Sequence, residues 1–194
     1  MNSQDTLKNY LEKNAFVTTE EARQKGISPM TLSRLCKDGE LYRIEHGVYA
    51  TELDWLTDGL KKHIVPCAIY PKAVVCGISA LTYHNLTDEE EREVWLAVQP
   101  PQRIANPRYR LIRPTGLNYS LGVEVHKFGT RTVRIYNIEK SVVDAFKYLW
   151  EEVAYKALRR YLKRKNSDVR KLCDYGRRLK KPLDAVVSAV LADE

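Results

Sequence analysis

No run in this chain approaches the roughly 18 to 20 consecutive apolar residues that a membrane-crossing helix needs. Its opening stretch, "MNSQDTLKNYLEKN", lacks the basic-then-apolar order of a secretory signal. A cytoplasmic protein with no membrane partner is expected. Cysteine is scarce too: Cys36, Cys67, Cys76 and Cys173 stand far apart and none pairs as C-x-x-C. Neither a zinc ribbon nor a redox motif is written here, and buried free thiols are expected. The four histidines, His46, His63, His84 and His126, are equally scattered and none has metal-ligand spacing. No metal and no cofactor is expected.

Catalytic signatures are missing as well. There is no Walker loop, no G-x-G-x-x-G, no G-x-S-x-G, and no Gly-Ser with spaced aspartates of the kind nucleotidyltransferases use. A restriction-type nuclease needs clustered carboxylates and a lysine, usually as Asp followed by Glu-x-Lys on adjacent strands, to hold a metal and a water. The nearest string is "EVHK", in which Glu124 and Lys127 are one position too far apart for the same strand face. Asp88, Glu89, Glu90, Glu91 and Glu93 bunch in a polar turn and read as solvated charge. The chain is read as a non-enzyme.

What is present is enough apolar material, 44% of 194 residues, for one large domain or two small ones, and an uneven distribution of charge. Residues 1–50 hold seven basic and seven acidic residues, 51–138 eleven and nine, and 139–194 fourteen and nine. The formal net charge of +7 therefore sits largely at the C-terminal end. Between Lys156 and Lys181, twelve basic residues face only Asp168 and Asp174. Such density suits a polyanion, and it equally suits a solvated helix face.

The N-terminal third is punctuated closely. Leu7, Tyr10 and Leu11 are spaced for one helix face ending near Asn14, and Phe16 and Val17 lead into "TTEEARQKG", where Thr18 and Glu21 form a capping box and Gly26 ends the helix. In "ISPMTLSRLCKDG", Ser28 is placed to cap a third helix, Pro29 suits its first position, and Gly39 suits the left-handed residue after its last turn. Two helices across a Gly turn predict a helix-turn-helix. "ELYRIEHGVYA" then predicts two strands turning at Glu45, His46 and Gly47, the wing of a winged helix-turn-helix over residues 1–52.

On the third helix Leu32, Leu35 and Cys36, with Ile27, supply the packing side, while Met30, Thr31, Ser33, Arg34 and Lys37 cover the other. That outward face suits the major groove of double-stranded DNA. Arg34 can donate twice to a guanine edge, and Met30 or Thr31 can touch a thymine methyl. Ser28 and Lys37 are placed for phosphate, and Arg43 and His46 on the wing for flanking backbone or minor groove. A winged helix used only for protein contacts is the alternative.

After an acidic connection, "TELDWLTDG", a larger α+β domain is expected over residues 60–194. Leu60 to Tyr70 reads as helical with a break at Pro66, "KAVVCG" as a short buried strand and "ISALTYHNL" as a helix. "VWLAVQ", "YRLIRP", "GVEVHKF" and "RTVRIYN" suggest an antiparallel sheet. "IEKSVVDAFKYLW" has helical apolar spacing. In "EEVAYKALRRYLKRK", Ala154, Ala157, Leu158, Tyr161 and Leu162 lie opposite Lys156, Arg159, Arg160, Lys163 and Arg164. "SDVRKLCDYGRRL", with Arg170 and Lys171, repeats the arrangement after a Ser167 cap, and "PLDAVVSAVLA" closes the chain as a helix started by Pro182. A C-terminal helical bundle with a basic outer surface is expected.

The order "GISPMTLSRLCKDGELYRIEHGVYA" resembles the N-terminal winged helix of the AbiEi antitoxins of bacterial abortive-infection toxin–antitoxin systems. "VCGISALTYHNLTD" is similar to the family's Ser-Ala-Leu helix with its aromatic-His-Asn/Gly-Leu ending. "RIYNIEKSVVDAFKY" resembles its strand and helix with a Val-Asp pair, and "YKALRRYLKRKNSDVRKLCDYGRRL" its C-terminal helical repeat. The resemblance spans roughly residues 5 to 190. Ser141 stands where the family usually has Thr, with Asp144 in place. The resemblance implies a type IV antitoxin that represses its own operon, at a promoter with inverted repeats, and counters a nucleotidyltransferase-like toxin without a stable complex being required. A winged-helix nuclease and a ligand-responsive winged-helix repressor are the alternatives.

Overall fold

The computed structural model describes residues 3–14, 16–52 and 61–192. Most of the expected acidic connection, and Leu60, lie outside the described residues. The chain divides into two compact units, one of Met1–Pro71 with Lys127–Val133, the other of Lys72–His126 with Arg134–Glu194.

In the first unit, helix α1 (Ser3–Asn14) precedes strand β1 (Phe16–Thr18), helices α2 (Thr19–Gln24) and α3 (Pro29–Lys37), strands β2 (Tyr42–Glu45) and β3 (Val48–Ala50), and helix α4 (Lys61–Ile69). The capping box forms as expected: Glu21 N donates to Thr18 Oγ1 at 3.2 Å and Thr18 N to Glu21 Oε2 at 2.8 Å. Ser28 caps α3 by accepting from Thr31 N at 3.1 Å, with Pro29 in the first turn, where a missing N–H costs nothing. Gly39, at φ +75°, ends α3 in the left-handed region. Leu7, Leu11, Val17, Ala22, Ile27, Leu32, Leu35 and Leu41 form one buried cluster.

Strands β2 and β3 are antiparallel, joined by His46 and Gly47, so Glu45 belongs to the strand rather than the turn. Strand β1 adds to the far side of β3, with Phe16 opposite Ala50, giving the order β1-β3-β2. Three residues carry too little alternation to show as a strand in sequence. Helix α4 runs unbroken through Pro66, where a break was expected. Ile64, Val65, Pro66 and Cys67 are all buried around it, and that burial offsets the one hydrogen bond the ring removes.

The second unit carries strand β4 (Val74–Val75), helix α5 (Gly77–Tyr83), strands β5 (Val94–Ala97) and β6 (Tyr109–Ile112), the short helix α6 (Leu117–Ser120), strands β7 (Val123–Phe128) and β8 (Arg131–Tyr136) apart from their hairpin end 127–133, which belongs to the first unit, and helices α7 (Ile138–Tyr148), α8 (Glu151–Leu162), α9 (Val169–Arg178) and α10 (Asp184–Ala192). The five-stranded sheet has the order β6-β5-β4-β8-β7. It is mixed, not antiparallel as expected: β4 and β5 are antiparallel, while β4 with β8 and β5 with β6 are parallel. Alternation reports which residues share a face and says nothing of strand direction. Here the long connection 98–108 carries the chain back so that β6 starts beside the start of β5.

The expected helical bundle is present. Val142, Val143, Ala154, Ala157, Leu158, Tyr161, Leu172, Leu183, Val187 and Val190 share one core with Leu81 and Leu86 of the α5 region. The cap of α9 is Asp168, whose Oδ1 accepts from Lys171 N at 2.9 Å, and not Ser167. A carboxylate suits the positive end of a helix better than a hydroxyl does. Pro182 and Leu183 precede α10, which begins at Asp184. Cys67, Cys76 and Cys173 are buried, Cys36 is half-buried, and all four are free thiols.

Candidate nucleic-acid interface

Helix α3 separates its residues by face. Leu32 and Leu35 are buried, whereas Ser28, Ser33, Arg34 and Lys37 are exposed and Met30 is 81% exposed. Thr31 is half-buried, its hydroxyl 3.0 Å from Ser28 Oγ, so both hydroxyls are partly committed to the cap. A large apolar side chain left in solvent beside a guanidinium and an ammonium gives this helix one surface for methyl contact, base-edge donation and phosphate. On the exposed side of the wing, Arg43 Nη2 lies 2.7 Å from His46 Nδ1. Guanidinium only donates, so Nδ1 accepts, and the imidazole presents its Nε2–H outward. All eight sequence-predicted residues of the winged helix thus lie on α3 or the wing, and Thr31 alone is not exposed.

The frame under this surface rests on a residue that sequence reasoning passed over. Arg131 bonds both carboxylate oxygens of Glu21, donates to Phe16 O at 2.6 Å, and sits 4.1 Å above the Phe16 ring. Thr130 Oγ1 donates to Asn14 Oδ1 at 2.7 Å. Burial pushes the Glu21 carboxyl up, but the bonds from Arg131 and Thr18 outweigh it and hold the group below its usual range. A contact spanning 110 residues leaves no local signal in sequence.

The predicted basic surface is only partly open. Lys156 and Arg160 both pair with Asp88, the latter at 3.2 Å. Arg164 donates to the carbonyl of His84, and Lys171 pairs at 2.9 Å with the buried Glu139. Arg159, Lys163 and Arg170 are exposed. A shallow hollow of about 340 Å³ runs along α8 between Glu152, Tyr155, Lys156, Arg159, Arg160 and Lys163. The bunched acidic turn therefore supplies a counter-ion to the basic helix that only the fold brings near.

The remaining motif residues tie the second unit together. Tyr83 OH meets His126 Nδ1 at 2.6 Å, and His126 Nε2 lies 3.2 Å from Glu124 Oε2. His84 Nε2 donates to Tyr136 O at 2.8 Å, and burial holds that imidazole below its usual range. Asn85 takes φ +54° and Leu86 is fully buried. Lys140 Nζ and Asp144 Oδ2 are 2.5 Å apart with both side chains 1% exposed. Burial pushes the lysine down and the aspartate up, each opposed by the other's charge. Ser141 Oγ donates to Asn137 O at 2.8 Å, a bond a threonine would also make. Asp144 is thus an internal counter-ion and not an accessible acid. Among the described residues no group of three or more His, Cys, Asp or Glu could hold a metal, and no helix is long and apolar enough to cross a membrane.

Residues 5–51 match the family model described as "Transcriptional regulator, AbiEi antitoxin". This is the family that the sequence motifs resemble, and the matched segment runs from α1 to just past β3. No curated protein matches the chain.

Proposed function

We propose that this protein is an antitoxin that represses its own operon, reading double-stranded DNA through α3 and the wing, and that its second unit counters a nucleotidyltransferase-like toxin. The observation that carries the DNA reading is the outward face of α3. Arg34, Lys37, Ser33 and Met30 are exposed together, and the Arg43–His46 pair is exposed on the wing. Those side chains supply in one unit the donors for base edges, the cations for phosphate and the methyl-seeking surface that major-groove reading needs. Arg34 specifies sequence, Lys37 and Arg43 neutralise phosphate, and Met30 favours thymine.

The antitoxic half rests on the ordered resemblance of the segments through residue 190, beyond the residues 5–51 that the family model matches. Countering the toxin does not require a lasting complex of the two proteins. Two assays test the pair of activities: binding to the DNA upstream of its own gene, and rescue of growth when a neighbouring toxin gene is expressed. Arg34→Ala should lose operator binding and keep rescue. Wild-type operator affinity in Arg34→Ala removes the recognition-helix assignment, and failure of the wild-type chain to rescue removes the antitoxin assignment.

A further inference from the structure

From Val94 to Val123 the chain contains four arginines, Arg103, Arg108, Arg110 and Arg113, and no aspartate or glutamate. All four are exposed, as is Lys72 beside them. Among the described residues none of Lys72, Arg103, Arg110 and Arg113 pairs with a carboxylate. The helices of the C-terminal bundle differ, since their Lys156, Arg160 and Lys171 are matched by Asp88 and Glu139. The edge of the sheet is therefore a positive surface with no carboxylate in its own stretch of chain.

That edge also carries a stacking platform. Strands β5 and β6 set Trp95 opposite Arg110, whose guanidinium lies 4.5 Å from the indole centroid. Trp95 packs so closely over α5 that a Cβ at Gly77 would fall 2.4 Å from the ring, which fixes the indole. Arg110 itself is exposed. At the end of β6, Arg113 Nη1 donates to Gln102 O at 3.0 Å, joining the strand to the turn at 99–103. That turn, with Lys72 and Tyr119, walls a cavity of about 480 Å³ whose polar lining includes Gln99, Gln102 and Arg103. Trp95 and Arg110 also line a groove with Glu89, Glu90, Glu91 and Glu93, whose carboxylates turn a polyanion toward the Arg103 and Arg113 side of the pair.

We propose that this sheet edge is a second nucleic-acid site, one that takes a single strand. Cations spaced along the edge track the phosphates, a base stacks on the Trp95–Arg110 pair, and the amide side chains of Gln99 and Gln102 meet a base edge in the cavity. Bases inside a duplex are already stacked and cannot use such a platform, whereas unpaired bases stack on aromatic rings and guanidinium planes alike. The site is independent of the reading of α3.

The test uses the full chain and three fluorescein-labelled probes: U12 RNA, dT12 DNA and a random twelve-base-pair DNA duplex, followed by anisotropy at about 0.1 M salt. U12 or dT12 should bind, and the stronger of the two identifies the sugar. Arg103→Glu with Arg113→Glu should weaken that binding at least tenfold, and so should Arg110→Gln, a milder change that guards against misfolding. Arg34→Ala with Lys37→Ala should leave single-strand affinity unchanged. In a chain carrying Trp55→Phe and Trp150→Phe, the strand should quench the remaining Trp95 fluorescence. The proposal is overturned if neither strand binds, if their affinity follows Arg34 and Lys37 instead of the sheet edge, or if the duplex displaces the strand from it. A loss of operator binding in the Arg34 variant bears only on α3, so the two readings fail separately.

Discussion

Replacing Arg131 with alanine removes three interactions from one partly buried place. The Arg131 side chain is 12% exposed and that of Glu21 27%. Breaking a buried ion pair from one side costs about 3–5 kcal/mol, and the exposure of Glu21 together with its retained bonds to Thr18 brings that toward 2. The carbonyl of Phe16 loses its 2.6 Å donor, worth about 1 kcal/mol, and the ring loses a cation at 4.1 Å, worth about 0.5–1. These terms share atoms and do not add fully, so about 3 kcal/mol is expected from urea unfolding of Arg131→Ala. The pH dependence gives an independent reading. Glu21 is held below its usual 4.5, so its contribution is present above that pH and fades as pH falls through the lower folded value. In Arg131→Ala that acid-side loss should shrink, because burial then acts on the carboxyl with less to oppose it. Glu21→Gln combined with Arg131→Ala should show a coupling of about 1–2 kcal/mol. Because the change lies at the cap of α2 and not on the outer face of α3, operator affinity of the folded protein should move less than threefold. An Arg131→Ala protein within 0.5 kcal/mol of wild type, with an unchanged acid limb, would refute this account.

Arg34→Ala should cost about 1–3 kcal/mol of specific binding measured against a random duplex, while Lys37→Ala should weaken all sequences evenly and lower the salt slope by about 0.9. On the basic helices, Arg159→Glu with Arg170→Glu should flatten the salt dependence of operator binding by about two phosphates if that face meets DNA; an unchanged slope returns it to solvent. Arg160→Glu with Arg164→Glu should instead lower thermal stability, since those groups hold Asp88 and the His84 carbonyl. Asp144→Ala leaves Lys140 buried without its counter-ion and should destabilise the chain by about 3–5 kcal/mol, read by chemical denaturation; a loss under 1 kcal/mol would show that the pair is not held in the core.

The winged helix was legible in the sequence because its determinants are local. Thr18 and Glu21, Ser28 and Thr31, and Gly39 are separated from their partners by one helical turn or less, and each imposes its geometry through a single bond or dihedral. The periodicity of Leu32 and Leu35 sufficed to send Met30, Arg34 and Lys37 to the outside, since only one face of a surface helix can be buried. The same local logic placed the helices of the C-terminal bundle and the five strands of the larger sheet.

Strand direction, by contrast, depends on the path of the connections, and alternation is the same for a parallel and an antiparallel pair. The fate of each charge likewise depended on its counter-ion. Asp88 reaches Lys156 from 68 positions away, Arg131 reaches Glu21 from 110, and neither separation has a period or a motif. Thus the sequence by itself determined the helices and strands other than β1 and α6, and which face of α3 looks outward. Tertiary structure alone decided that Asp144 is buried against Lys140, that Lys156, Arg160 and Lys171 on the basic helices meet carboxylates, and that Arg110 lies over Trp95. Electrostatic energy falls with distance in space, whereas only secondary structure follows distance along the chain.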